Sequence, residues 1–311
     1  MMSRLASMFL LAALGSSPIG HAVAETPPVQ AQECRVALRA DVPATIANRH
    51  LAVAAVVEGK PAWFRIDTAY DGTASLSRGA AQRLGLAMSG QHRTIMTLGG
   101  KLDVARATAE LFAIPGLPPR RVEIDVFPAD LEPTAGKPTD GQIGLGYLGD
   151  FDMEIDPAAS RMRLYAVRGC GDRLVPFDEA YTSLPLKRSV GRSLVVPVTA
   201  NGQEMLALLD TGANTSLIAR DAALRAGVTP AELSGDKQLP YRVTGDGANH
   251  ACPLHCFRQL EIGEYVQRDV YIPVMNALPA GMDMALGADF LLSRRIWISP
   301  ATARLYITRQ P

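Results

Sequence analysis

Leu51 to Thr68 reads LAVAAVVEGKPAWFRIDT, and Leu194 to Thr211 reads LVVPVTANGQEMLALLDT. Adding 143 to a number in the first stretch gives its partner in the second: Gly59 falls on Gly202, Asp67 on Asp210 and Thr68 on Thr211. The offset persists beyond the aspartates, since Ile143-Gly144 and Tyr147-Leu148 fall on Leu286-Gly287 and Phe290-Leu291, and Pro157 falls on Pro300. A fixed offset of this kind marks a tandem repeat of one small domain. Each copy ends an apolar run in an Asp-Thr pair. A two-fold arrangement of the copies would therefore set two carboxylates face to face.

Within each copy the pattern is that of strands. Leu51 to Val57 and Trp63 to Ile66 are β-rich runs joined by Glu58-Gly59-Lys60, and Leu194 to Ala200 and Met205 to Leu209 are joined by Asn201-Gly202-Gln203, so both read as hairpins. After each aspartate come a loop and a small-residue helix, Arg78 to Leu84 or Ala219 to Ala226, stopped by Gly85 or Gly227. Gly99-Gly100 and Gly245-Asp246-Gly247 signal further hairpins, and each copy closes with an apolar-Gly turn, a short helix and a last strand such as Arg304 to Thr308. The expected class is all-β with short helices, one lobe used twice. The expected boundaries are 25–170 for lobe one, 171–183 for a linker and 184–311 for lobe two.

Composition removes several functions. A chain of 311 residues that is 48% hydrophobic with a formal net charge of +0 can bury an ordinary core, but has no basic excess to meet nucleic acid or acidic membranes. Residues 1–24 differ from the rest: Arg4, the apolar run Leu5 to Leu14, then small residues closing on Ala22-Val23-Ala24. This is a signal-peptide pattern with cleavage expected after Ala24, too short in its apolar part for a span of roughly 20 residues. An exported protein, periplasmic or secreted, with no stable membrane insertion after cleavage, is the expectation.

In an oxidising compartment four cysteines are read first as disulfide partners. Cys34 opens the first repeat and Cys170 lies just past its end, so a bridge between them would tie the ends of lobe one. Cys252 and Cys256 would then bridge locally, although three pairings are open. His250, Cys252, His255 and Cys256 crowd four ligand types into seven residues, too few for a tetrahedral zinc site without a loop between the pairs. No metal and no other cofactor is expected.

Leu206 to Val228, LALLDTGANTSLIARDAALRAGV, is followed 77 residues after Asp210 by Gly287 within Leu286-Gly287-Ala288-Asp289-Phe290-Leu291, and Asp67 and Gly144 keep the same spacing. These residues resemble the retropepsin-like aspartic proteases, here in a tandem, two-lobed form, and the resemblance covers both repeats. It implies two acid-protease lobes about a pseudo-two-fold axis, with an active-site cleft between them and a β-hairpin flap over the substrate. By the same resemblance Asp67 and Asp210 are the candidate catalytic pair, Thr68 and Thr211 brace them from below, and Ala69 and Gly212 complete the supporting loops. Gly99, Gly100, Gly245, Asp246 and Gly247 become flap tips. A monomer with an intramolecular pseudo-dimer is implied, acting on a peptide or protein substrate.

The chemistry also follows from the residues themselves. Amide hydrolysis needs one group to take a proton from water and another to give one to the carbonyl oxygen. Two carboxyls held a few ångströms apart cannot both ionise cheaply, so they keep one proton between them and supply both roles. Lobe one departs from the pattern, reading Asp67-Thr68-Ala69-Tyr70-Asp71-Gly72 with alanine where lobe two has Gly212. The alanine keeps the N–H and adds a Cβ, which is harmless where φ is negative and costs about 1 kcal/mol or more where it is not. Asp71 reads as a solvated loop carboxylate. Gly144 to Gly149 matches G-x-G-x-x-G but opens no βαβ unit, and no G-x-S-x-G, H-E-x-x-H or P-loop lysine is present.

Overall fold

The computed structural model describes residues 33–97, 100–242, 249–278 and 281–309. The expected signal segment lies outside them, as do Gly99, Gly245, Asp246 and Gly247. The fold is mostly strand with short helices, in two repeated lobes. Its first hairpins form as read. His50–Val57 turns into Lys60–Ile66 through Glu58 and Gly59 at φ 50 and 75, and Leu194–Ala200 turns into Gln203–Leu209 through Asn201 and Gly202 at φ 49 and 83. Two consecutive residues with positive φ give the turn twist that matches paired strands. Arg78–Leu84 is a helix whose N-cap Ser77 accepts from the Ala80 amide and whose C-cap is Gly85.

Each lobe is a sheet in which the inner hairpin strand is flanked by a parallel neighbour from late in the repeat. Lys60–Ile66 pairs in parallel with Gly141–Ile143, which in turn pairs with Ala74–Ser77. Gln203–Leu209 pairs in parallel with Met284–Leu286, which pairs with Leu217–Ala219. Beyond these lie long hairpins: Met88–Thr97 with Gly100–Ala113 in lobe one, and Gln238–Arg242 with Asn249–Ile262 in lobe two. Phe64, Phe112 and Tyr147 pack edge to face in the lobe-one core.

The lobes are joined by a shared sheet. Asp152–Asp156 of lobe one pairs antiparallel with Ile296–Ser299 of lobe two, in the register Met153 with Ile298, Glu154 with Trp297 and Ile155 with Ile296. These are the same positions of the repeat read in opposite directions, so the two-fold axis passes between Glu154 and Trp297. Glu154 is buried and accepts from Arg163 Nη1 (2.9 Å), Arg295 Nε (2.7 Å) and the Tyr165 hydroxyl (2.7 Å). The Trp297 indole stacks on Tyr165 and donates to Asp152 Oδ2 at 3.0 Å.

Two local features add to the expected pattern and one corrects it. Residues 171–183 hold a 3₁₀ turn, Gly171–Arg173, and then the start of the strand Tyr181–Pro185, which pairs with Arg304–Thr308 and so belongs to the shared sheet. Pro230–Gly235 is an additional helix, started by a capping box in which Thr229 and Glu232 exchange hydrogen bonds, with proline at its first turn. Cys34 and Cys170 are bridged, but Cys252 and Cys256 are free thiols, which corrects the local bridge expected from their spacing. Both lie on the extended strand Asn249–Ile262. Four residues along a strand span about 13 Å, whereas a disulfide needs Cα atoms within about 4.4–6.8 Å.

The Cys34–Cys170 bridge closes a sequence separation of 136 residues at the edge where Arg35 pairs with Arg168. Thiol titration of the denatured, unreduced protein should count two free thiols per chain. Reducing the bridge should lower unfolding stability by about 2–5 kcal/mol, since a long loop in the unfolded chain is set free. Urea unfolding with and without reductant measures this, and unchanged midpoints would count against it.

Candidate active site

The two aspartates are placed by the ends of parallel strand pairs. Asp67 follows Lys60–Ile66 and its amide donates to Ile143 O at 3.0 Å, while Asp210 follows Gln203–Leu209 and its amide donates to Leu286 O at 3.0 Å. The chain then passes so close to the apolar-Gly turn that no side chain fits there. A Cβ on Gly144 would lie 2.3 Å from Tyr70 O, and one on Gly287 would lie 2.4 Å from the Thr215 carbonyl carbon. That close approach is the physical reason the motif repeats its glycine.

Reciprocal hydrogen bonds tie the two loops across the lobes. The Thr68 amide donates to Thr211 Oγ1 and the Thr211 amide to Thr68 Oγ1, each at 3.1 Å. The hydroxyls pass their protons on, Thr68 Oγ1 to Leu209 O at 2.7 Å and Thr211 Oγ1 to Ile66 O at 2.8 Å. Both threonines are buried. Every donor and acceptor in the set is satisfied, as burial requires.

Each carboxylate is anchored by its own loop. Asp67 Oδ1 accepts from the amides of Ala69 (2.9 Å) and Tyr70 (3.0 Å), and Asp210 Oδ1 accepts from those of Gly212 (3.0 Å) and Ala213 (2.9 Å). Both side chains line one cavity of about 100 Å³ between the lobes, with Ile95, Met96 and Thr97 of the long lobe-one hairpin and Tyr241 of the long lobe-two hairpin around it. Gly100 opens the second strand of the lobe-one hairpin at φ 112. Larger cavities of about 380 and 320 Å³ continue the cleft, one sharing Ala69, Tyr70 and Leu208 and the other sharing Tyr241.

Burial raises both carboxyls above the ordinary carboxylate range. Asp210 is pushed up to about 7, first by burial and then by the charge of Asp67, against the pull of its two amide donors. Asp67 is raised by burial, and the amides of Ala69 and Tyr70 and the positive charge of Arg65 draw it back. The environment is therefore unequal: Arg65 favours charge on Asp67, and the 143-residue offset places Leu208 at the matching position of lobe two. Tyr241 also feels the pair, its phenol held in the neutral form by burial and by the charge of Asp210.

The loops differ at the residue after the threonine. A Cβ on Gly212 would fall 2.5 Å from both Cγ and Oδ2 of Asp67, so lobe two has no room for alanine there. Ala69 in lobe one has negative φ, keeps its N–H on Asp67, and packs its methyl against Leu208, Val195 and Met282. Asp71 is half exposed and pairs with Arg93 Nη2 at 3.3 Å. Arg93 also holds the buried Asp125, which accepts from the Tyr70 hydroxyl. His255 Nδ1 lies 2.8 Å from Asp236 Oδ2, and no group of three or more metal-binding side chains occurs among the described residues.

Sequence reasoning did not single out Arg65, Gln142 or Tyr241 as residues around the aspartates. A signal existed for two of them, because a polar side chain inside an apolar strand stands out once the repeats are aligned. Gln142 falls on Ala285 just as Arg65 falls on Leu208.

Two outcomes test this geometry without reference to activity. Gly212→Ala should cost about 1–3 kcal/mol of stability through overpacking, whereas Ala69→Gly should cost no more than about 1 kcal/mol; urea unfolding of both variants decides, and equal costs would refute the asymmetry. Asp210 titrates at an ordinary value of 3.8 when unfolded and near 7 when folded, so the folded state holds a proton the unfolded state has lost between those values. Its contribution to stability is full below about pH 4 and is lost as pH rises through about 7. The stability of Asp210→Asn relative to wild type should rise across that window. A flat difference would show that the carboxyl is not raised.

Comparison with known families places this geometry. A family model of aspartyl proteases matches the chain twice, at residues 53–148 and 196–290, together more than half of its length. No curated protein matches the chain in a sequence search. Each match contains one Asp-Thr loop and its apolar-Gly partner turn, and the chain belongs to the aspartyl protease family.

Proposed function

We propose that the protein is an exported aspartic endopeptidase that hydrolyses peptide bonds with a water activated between Asp67 and Asp210. The observation that carries this reading is the pair of buried carboxylates in one cavity, each fixed by its own loop amides and both held by the reciprocal threonine bonds. Their Oδ2 atoms accept from no described residue, which leaves them for water and substrate. Export rests on the signal-peptide pattern of residues 1–24 and on the Cys34–Cys170 bridge.

The roles divide by environment. Asp67, next to Arg65, is the ionised member and takes a proton from the water that attacks the carbonyl carbon. Asp210 keeps its proton up to about pH 7 and gives it to the carbonyl oxygen as the tetrahedral centre forms. As that centre collapses the C–N bond breaks, Asp67 gives the proton it took to the leaving amine nitrogen, and one hydroxyl of the centre gives its proton to Asp210 as the carbonyl re-forms. The flap hairpins that border the cavity exclude water from the bound peptide. One protein chain supplies both halves, so a monomer is complete.

The alternative is a peptide-binding protein with weak or no turnover; Ala69, where the other lobe has glycine, raises it in sequence, and its negative φ and retained N–H on Asp67 weigh against it. Incubation with denatured protein substrates from mildly acidic to neutral pH, with and without pepstatin, separates the two. Pepstatin-sensitive cleavage that declines above about pH 7 supports the enzyme; retention of peptides without cleavage supports the binding protein. Asp67→Asn and Asp210→Asn should each remove nearly all cleavage, with the double variant little worse than either single one. Substantial activity in Asp67→Asn would end the two-aspartate mechanism.

A further inference from the structure

The central strands of lobe one carry a polar row that lobe two lacks. Strand register sets Gln142 beside Arg65 on one side and Ser75 on the other, and sets Ser75 beside Asp125. Residues in register on neighbouring strands share a face of the sheet, and all four of these are buried. The same register in lobe two sets Ala285 between Leu208 and Leu217, three buried apolar residues. Of these residues Gln142 and Leu208 line the cavity that holds the aspartates, so its two sides differ in chemistry although the strands match.

Two members of the row are committed inside lobe one. Arg65 donates to Thr134 Oγ1 (3.3 Å) and Glu132 O (2.5 Å), and Asp125 accepts from Tyr70 and Arg93. Gln142 is different. It lines the cavity that holds Asp67 and Asp210, is only 5% exposed, and its carboxamide makes no hydrogen bond to any described residue. Its amide opens on the cavity instead of being sealed in the core, whereas Ser75 Oγ beside it is buried without a partner. If packing were the only demand, an apolar residue such as Ala285 at the mirror position would be the more stable choice.

We propose that Gln142 is a specificity-determining residue: its carboxamide hydrogen-bonds an uncharged polar side chain, amide or hydroxyl, of the peptide residue seated against the lobe-one wall beside the two aspartates. The apolar lobe-two wall takes a hydrophobic residue. This deepens the proteolytic reading and rests on its peptide-binding cleft. A carboxamide both donates and accepts, so it meets amides and hydroxyls in either sense. A charged head group would lose its hydration next to a charged aspartate and Arg65, with only a neutral partner in return.

Selection of a random peptide library on the Asp210→Asn protein tests this by retention, with no need for cleavage. Retained peptides should be enriched roughly tenfold in Asn, Gln, Ser or Thr at one position. Adding Gln142→Met, which keeps the length and removes the hydrogen bonding, should erase that enrichment in favour of apolar residues. Adding Gln142→Glu, which only accepts, should move it to Lys or Arg, and this variant decides if Gln142→Met does not fold. Absence of a polar preference, its persistence in both variants, or failure to retain any peptide would each overturn the proposal. A wild-type protein that cleaves nothing while Asp210→Asn retains such peptides would sink the proteolytic reading and leave this one standing.

Discussion

Two carboxyls buried in one cavity repel whenever both are charged, so their proximity has to be imposed from elsewhere. The Thr68–Thr211 exchange imposes it. Each threonine bonds the other lobe twice, through amide and hydroxyl, and each hydroxyl reaches the carbonyl of the residue before the opposite aspartate. The loops thus cannot part without breaking four buried hydrogen bonds, and each buried group left unpaired costs about 1–3 kcal/mol. Everything that makes the cavity chemically unusual, including the raised Asp210 carboxyl, depends on that constraint.

The repeat made much of this readable in the chain. The hairpins at Glu58-Gly59 and Asn201-Gly202 declare themselves through the glycine that positive φ favours, joined by asparagine in the second, and the helix ending at Gly85 does so for the same reason. What could not be read was contact between residues distant in sequence. Gln142 enters the cleft because a parallel pairing carries it beside Arg65, and Tyr70 reaches Asp125 across 55 residues. Cys252 and Cys256 look like partners in sequence because four residues is a short interval, and only the extended strand shows how far apart it sets them. The helix at Pro230–Gly235 had its signal in Thr229-Pro230-Ala231-Glu232, a capping box that has no counterpart in lobe one and so was hidden by reading the repeats together.

The differences between the lobes are concentrated where one half can specialise. Lobe one surrounds its aspartate with Arg65, Gln142 and the Tyr70–Asp125–Arg93 network. Lobe two carries Leu208, Ala285 and Leu217 at the matching strand positions. The two carboxyls thereby sit in unequal surroundings, and the two sides of the cavity cease to be equivalent to whatever lies between them.

Position 154 and its counterpart 297 meet on the two-fold axis itself. In a dimer of identical chains a residue on that axis must face its own copy, and a glutamate would then confront a glutamate. Here the fused copies have diverged, so Glu154 binds Arg295 while Trp297 donates to Asp152, and those two contacts occupy positions that differ by the repeat offset. A charge pair on one side answers an indole hydrogen bond on the other. Neither arrangement is open to a symmetric assembly, so the seam between the lobes could no longer be rebuilt from two copies of either half alone.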